Sequence, residues 1–352
     1  MNAKNHPSLL PNGLLDLLAP SAENESRLIE LFMKNFAAFG YDRVKPPLVE
    51  FEDSLLGEGP GQALSRQTFR MMDPVSGRMM GVRADVTSQI ARIATSRLAD
   101  NKRPLRLSYA ADVLRVNGSQ LRPERQFCQV GCELIGVDTI TADVEMPLIA
   151  AIALSKAGVQ NISIDLTVPT LTKHLYDEMK VSADETETLN DLIEKRDRDG
   201  VAALKTKVSA LVVELMDHDN LQKIALPKKA KADIDKLLKL QTELRAALDV
   251  YGLQDVQITI DPLERRGFEY QTGASFTLFS QGARGELGRG GRYDVIVAGK
   301  SPETATGFTL YMDSVLRIAP ASVPQEVQEV KADADWKSIK SLQDQGVKVS
   351  RR

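Results

Sequence analysis

Residues 103–117, RPLRLSYAADVLRVN, and residues 124–136, ERQFCQVGCELIG, alternate apolar and polar side chains with the two-residue period of a half-buried strand. The polar stretch NGSQLRP (117–123) joins them, so the pair reads as two strands connected by a loop. Along the second strand Gln129, Gly131 and Glu133 lie two apart and share one face, with Cys128 and Cys132 on the other. With Arg115 at the end of the first strand, they describe a polar floor with free space over Gly131. A cation, an amide and a carboxylate around a small residue suit a zwitterion that carries one further donor. A plain solvated sheet face fits the same pattern.

The rest of the chain gives this pair its setting. Ser21, followed by Glu23 and Glu25, reads as a capped helix start, and Leu28, Leu31, Phe32, Phe36 and Phe39 recur at helical spacing up to Gly40. RMMDPVSGRMMGVRADVT (70–87) reads as a hairpin and VTSQIARIATSRL (86–98) as a helix. From about 170 to 251 the chain is dense in Leu, Lys, Asp and Glu, which predicts a helical insertion of amphipathic segments. Strand signals return in DVQITID (255–261), GASFTLF (273–279) and ARGELG (283–288), and GFTLYMDSVLRI (307–318) reads as a helix. Antiparallel strands on either side of a helical insert predict an α+β fold. The expected organisation is a core over 1–319 and a dependent or disordered tail over 320–352.

Bulk composition narrows the function classes. The 352 residues are 43% hydrophobic and 26% charged, and 45 Lys+Arg against 48 Asp+Glu leave a net charge of −3. Such a chain has no global attraction to nucleic acid, and no stretch approaches the roughly 18 apolar residues of a membrane span. The opening MNAKNHPSLLPNG lacks the apolar core of a signal peptide, so the expected location is cytoplasmic. Two cysteines and three scattered histidines (His6, His174, His218) predict neither a disulfide framework nor a metal site, and no cofactor is expected.

Three further clusters carry chemistry. GRGGRYD (288–294), with Gly282 and Gly285 upstream, suggests a phosphate cradle, but it lacks both the Walker Gly-Lys-Ser/Thr and the dinucleotide spacing. A hairpin whose glycines allow close backbone approach explains it as well. In VRADVT (82–87), Arg83, Asp85 and Thr87 alternate, so a strand would point all three one way, where Asp85 and Thr87 could accept from an ammonium. In ERRGFEYQTG (264–273), Arg265, Arg266, Glu269 and Tyr270 surround Gly267 and offer a planar carboxylate its partners, or form a structural ion-pair cluster.

In order and spacing these motifs resemble the catalytic core of histidyl-tRNA synthetase, over roughly residues 8–319, which implies a class II synthetase-like antiparallel sheet flanked by helices. GYDRVKPPLVEF (40–51) resembles the first class motif and VRADVT the "RPE/DxT" element. The strand pair resembles the second motif, with Arg115, Gln129 and Glu133 aligned without a gap. RRGFEYQTG and GGRYD resemble the two histidine signatures, and GFTLYMDSVLRI the third motif. Asn117 stands where the family has its second-motif glutamate, and Ser314 where it has the arginine that clamps ATP phosphates. Gln271 replaces the second tyrosine of a pair, and the tail is short where the family has an anticodon-binding domain.

The pattern is closer to the synthetase-like family of ATP phosphoribosyltransferase regulatory subunits. That resemblance implies a non-catalytic protein of histidine biosynthesis, partnered with a short-form catalytic subunit and with itself as a homodimer. It implies L-histidine as ligand and no tRNA. By the same resemblance Asp85, Thr87 and Gln129 receive the α-ammonium of histidine, and Arg115 and Arg266 pair with its carboxylate. Glu133 accepts from the imidazole, and Tyr270 or Tyr293 closes the pocket. A divergent synthetase and a stand-alone histidine-binding paralogue are the alternatives. The glycine-flanked loop is the candidate moving element, and the tail resembles the opening helix and strand of the missing domain.

Overall fold

A computed structural model describes residues 9–57, 61, 64–218, 220–265, 267, 270–296, 301–321 and 327–352. Its centre is an eight-stranded sheet. In chain order the strands are β1 (Asp42–Arg43), β5 (Leu105–Leu114), β6 (Gln126–Ile135), β7 (Ile162–Thr167), β8 (Gln257–Ile260), β9 (Gln271–Ser280), β10 (Gly288–Val295) and β11 (Glu303–Tyr311). A second, three-stranded sheet holds β2 (Val49–Phe51), β3 (Arg70–Met72) and β4 (Met79–Val82), so the hairpin around Asp73-Pro74 forms as expected. The large sheet runs β1-β5-β6-β11-β10-β9-β7-β8, antiparallel except at the β1/β5 and β7/β8 edges. The fold is α+β, an antiparallel sheet flanked by helices.

Helices cover one face. In Ser21–Ala38, Leu28, Phe32 and Phe36 are spaced four apart and fully buried, and Phe36 meets Phe308 of β11 edge to face. The helix begins at Ser21 itself after Pro20, with no side-chain cap, so Ser21 is its first turn and not its cap. Ile140–Lys156, capped by Thr139, is buried on nearly every side because Lys228–Val250 packs over it. Between residues 171 and 250 the helices bury a core of their own, including Leu175, Leu189, Val212 and Ile234. No helix among the described residues is long and apolar enough to cross a membrane.

Four local expectations change. GRGGRYD is a central strand, not a hairpin or loop, and its backbone runs so close to β11 that a Cβ at Gly290 would lie 2.3 Å from the Gly307 carbonyl oxygen. ARGELG is a turn leading into that strand. GFTLYMDSVLRI divides into the end of β11 and the helix Met312–Ile318. The last residues form a parallel β–α–β unit, β12 (Val327–Val330), helix Trp336–Asp344 and β13 (Lys348–Arg351), in which Ile339 is buried.

Candidate functional site

The other face of the sheet, covered in part by the helix Thr87–Thr95, is built from aligned rows of residues. Glu133 of β6 pairs with Gly307 of β11, which pairs with Gly291 of β10. Two glycines beside one carboxylate leave room above the sheet. One strand repeat away, Gly131 pairs with Thr309 and Thr309 with Arg289. A cavity of about 480 Å³ opens over these rows, walled by Asp85, Thr87, Arg115, Tyr270, Gln271 and Tyr293 together with row residues Glu133, Arg289 and Gly307. Gly307 lines the cavity, with the Glu133 carboxylate lying over it, and Gly131 does not line it. A Cβ at Gly131 would meet the Phe308 carbonyl oxygen at 2.1 Å and the Tyr109 hydroxyl at 2.6 Å, because Tyr109 folds over it.

Glu133 is 1% exposed and accepts a 2.8 Å hydrogen bond from the Tyr293 hydroxyl. Burial raises its pKa to about 8, against hydrogen bonds from Tyr293 and Thr87 that pull it back. At neutral pH it therefore holds a proton more often than not. Tyr270 stands edge to face against Tyr293, with ring centroids 5.8 Å apart, and burial pushes both phenols well above their ordinary range. The side-chain Oε1 of Gln271 is buried without a hydrogen-bond partner among the described residues.

The acidic corner is assembled by a turn. Asp85 does not continue a strand: β4 ends at Val82 and the helix Thr87–Thr95 begins two residues after Asp85. Its Oδ1 accepts the Thr87 N–H at 2.9 Å, the local bond by which an aspartate reverses the chain. Arg83 accordingly leaves the group. Its guanidinium is buried against the carbonyl oxygens of Pro46, Pro47 and Asp112, where it ties three segments together. Gln129 is fully buried and does not line the cavity. Its Nε2 donates to Asp85 Oδ2 at 2.7 Å and its Oε1 accepts the Val86 N–H at 3.0 Å, so it positions Asp85. Arg115 stands 3.9 Å from Asp85 Oδ2, donates to the Ala84 carbonyl and stacks over Phe127. Arg266 lies outside the described residues.

Two arginines escaped the sequence reading. Arg289 shares the face of Gly291 and Tyr293 by strand period and lines the cavity, ion-paired to Glu286 and donating to the Gly267 carbonyl at 2.8 Å. The period-two rule, applied backward from Tyr293, would have found it. Arg122, from the loop between β5 and β6, faces Ser314. Its guanidinium lies 3.8 Å over the Tyr311 ring, donates to Asp313 Oδ2 at 3.1 Å and reaches Ser314 Oγ at 3.4 Å. No sequence spacing joins residues 122 and 314; the contact is tertiary.

Behind the sheet, the neighbour of Tyr293 points the other way. Arg292, 5% exposed, bonds Asp143 at 2.7 Å, Thr304 Oγ1 at 2.9 Å and the carbonyls of Val137 and Thr139. Asp143 is 2% exposed and its second oxygen lies 3.4 Å from Lys236 of the helix Lys228–Val250. Arg292→Ala strands a buried carboxylate with one half-exposed lysine, so it is expected to destabilise the protein by about 3–5 kcal/mol. Urea unfolding of the two proteins measures this as a fall in midpoint at constant slope.

The histidyl-tRNA synthetase family matches residues 13–315. The chain is 50% identical over 325 residues to an ATP phosphoribosyltransferase regulatory subunit from Rhodospirillum centenum, covering 90% of this chain and 82% of that one. It is 47% identical to the protein of the same name from Paramagnetospirillum magneticum, covering 90% and 83%. Among solved structures it resembles an ATP phosphoribosyltransferase regulatory subunit/histidyl-tRNA synthetase from Bacillus halodurans, with a TM-score of 0.82, 22% identity and coverage of 99% and 93%.

Proposed function

The chain belongs to the family of ATP phosphoribosyltransferase regulatory subunits, which share the histidyl-tRNA synthetase core, and from that premise we propose that it is a non-catalytic, histidine-sensing subunit. Its partner is the short-form catalytic subunit, which it activates in the cytoplasm and to which it conveys feedback in the first step of histidine biosynthesis. It assembles with itself as a homodimer and handles no tRNA.

The observation that carries the reading is the pairing of an intact amino-acid corner with a spent phosphate end. Asp85, held by Gln129 and flanked by Thr87, offers an anion to an α-ammonium. Arg115 and Arg266 attract the carboxylate. Glu133 faces the imidazole, and because its proton is held up to about pH 8, neutral ring with acid or imidazolium with carboxylate gives the same net charge. Tyr270 and Tyr293 close the ring end. At the other end, the place of the family's phosphate-clamping arginine belongs to Ser314, and the guanidinium beside it, Arg122, is already neutralised by Asp313. A cation spent on a buried carboxylate has little left for a triphosphate.

Feedback requires histidine to favour one state of the assembly, and a coupling of about 1–3 kcal/mol changes activity several-fold or more. Reconstitution tests the proposal. The short-form catalytic subunit alone is expected to be nearly inactive, active with this chain, and inhibited as histidine is titrated. Histidine-dependent ATP–pyrophosphate exchange by this chain alone would instead make it a divergent synthetase.

A further inference from the structure

We propose that the helical insertion is coupled to the cavity through residues 261–265, with Arg196 as the positioning residue, so that histidine in the cavity and the posture of the insertion control one another; this rests on the histidine reading above. The segment leaves β8 at Asp261 and leads to the cavity wall, where Gly267 and Tyr270 follow. Three contacts tie it to the insertion. Leu263 is 1% exposed and sits inside the insertion's own core, which also holds Leu189 and Ile193 of the helix Ala183–Glu194. Arg196, two residues beyond that helix, donates through Nη2 to Asp261 Oδ2 and to Glu264 Oε2, the latter at 3.1 Å. Arg265 does not line the cavity and donates instead to Asn190 of the same helix.

The sheet holds the same segment from the other side. The Asp261 N–H donates to the Leu166 carbonyl at 2.9 Å, and the Thr167 hydroxyl donates to the Glu264 carbonyl at 2.8 Å. Further along, the Gly267 carbonyl accepts from Arg289 at 2.8 Å, and Tyr270 stands edge to face on Tyr293, which holds Glu133. Close-packed contacts of this kind pass a small shift on rather than absorb it. The seam with the insertion is also open to a second arrangement. The Tyr176 hydroxyl and Glu185 Oε1, both of the insertion, are buried with no hydrogen-bond partner among the described residues, and the charge of Arg265 acts on Tyr176. A buried polar atom without a partner is costly, so a movement of Arg265 toward these groups competes with its bond to Asn190. No described residue of the insertion lines the cavity, so its influence runs through this segment.

Calorimetry with L-histidine and amide hydrogen exchange, both on the full chain, test this. Arg196→Ala is expected to weaken histidine binding about fivefold, the lower end of ordinary coupling between sites. Arg198→Ala removes an exposed ion pair with Asp217 in the same insertion and is expected to stay within about twofold of wild type. At saturating histidine, the amides of Ala183–Glu194 are expected to exchange about fivefold more slowly than without it in wild type and in Arg198→Ala, but not in Arg196→Ala. Slowing in the helix Thr87–Thr95, whose Thr87 lines the cavity, persists in all three. A general loosening of the fold would not remove the response at one helix and spare it at the other. The wild-type exchange result stands even if the alanine variant fails to fold. A wild type that binds histidine without slower exchange in Ala183–Glu194 overturns the coupling, and so does a folded Arg196→Ala with wild-type affinity. A wild type that binds no histidine overturns the histidine reading itself, and this inference with it.

Discussion

Glu133→Ala is expected to weaken histidine binding by about 100-fold or more, because the ring loses a buried, charge-assisted partner and the Tyr293 hydroxyl loses its acceptor. Calorimetry at pH 7.5 measures it, and undiminished binding would remove Glu133 from the pocket. Glu133→Gln separates charge from shape and adds a stability readout. The folded pKa of about 8 stands above the usual carboxylate value of 4.5, so the folded protein binds the proton more tightly than the unfolded chain does. Stability from this group is full below about pH 4.5 and is lost as pH rises through 8, a change on the order of a few kcal/mol. The glutamine variant cannot ionise. Its melting temperature is expected to fall less than that of wild type between pH 5 and 8.5, with the empty variant the more stable at the alkaline end.

Gly307→Ala is expected to damage both stability and binding. A Cβ there would stand 1.8 Å from Glu133 Oε2 and 2.7 Å from the Cys132 carbonyl oxygen. The carboxylate is held by Tyr293 and the carbonyl by the β6/β11 ladder, so neither moves cheaply. Overpacking of this kind costs about 1–3 kcal/mol, and histidine affinity is expected to fall at least tenfold with it. Gly285→Ala is the control. Its nearest neighbour, Leu121 Cβ, is 3.5 Å away, an ordinary contact, so stability should stay within about 0.5 kcal/mol. Thermal unfolding and calorimetry on both variants give the contrast, and equal effects at the two positions would refute the floor assignment.

Much of this cavity was legible in the sequence because β5 and β6 obey the period-two rule, which puts Gln129 and Glu133 on one face. The rule failed where a local bond outweighed it. In VRADVT the alternation suggested a strand, but the Asp85 carboxylate captures the Thr87 N–H and starts a helix, turning Arg83 away. It failed again at GRGGRYD, where glycine has little intrinsic strand preference and the strand exists because β9 and β11 approach too closely for side chains. The free space assigned to Gly131 is absent for a third reason. Tyr109 reaches across from β5 and fills it, and cross-strand filling of that kind has no signature along the chain. Arg122 beside Ser314 is illegible for the same cause, being brought there by a loop fold 192 residues away in sequence.

Because Asp85 and Glu286 are matched by Arg115 and Arg289, and Glu133 stays largely protonated at neutral pH, the described residues of the cavity wall present no net charge to an arriving molecule. A zwitterion brings none either. Its docking releases no counterions and gains nothing from long-range attraction, so affinity and association rate should hardly change between roughly 0.05 and 0.5 M salt, where the Debye length shrinks severalfold. A phosphorylated competitor would lose affinity over the same range. A sensor built this way would meter one small neutral metabolite with a response buffered against the ionic state of its surroundings.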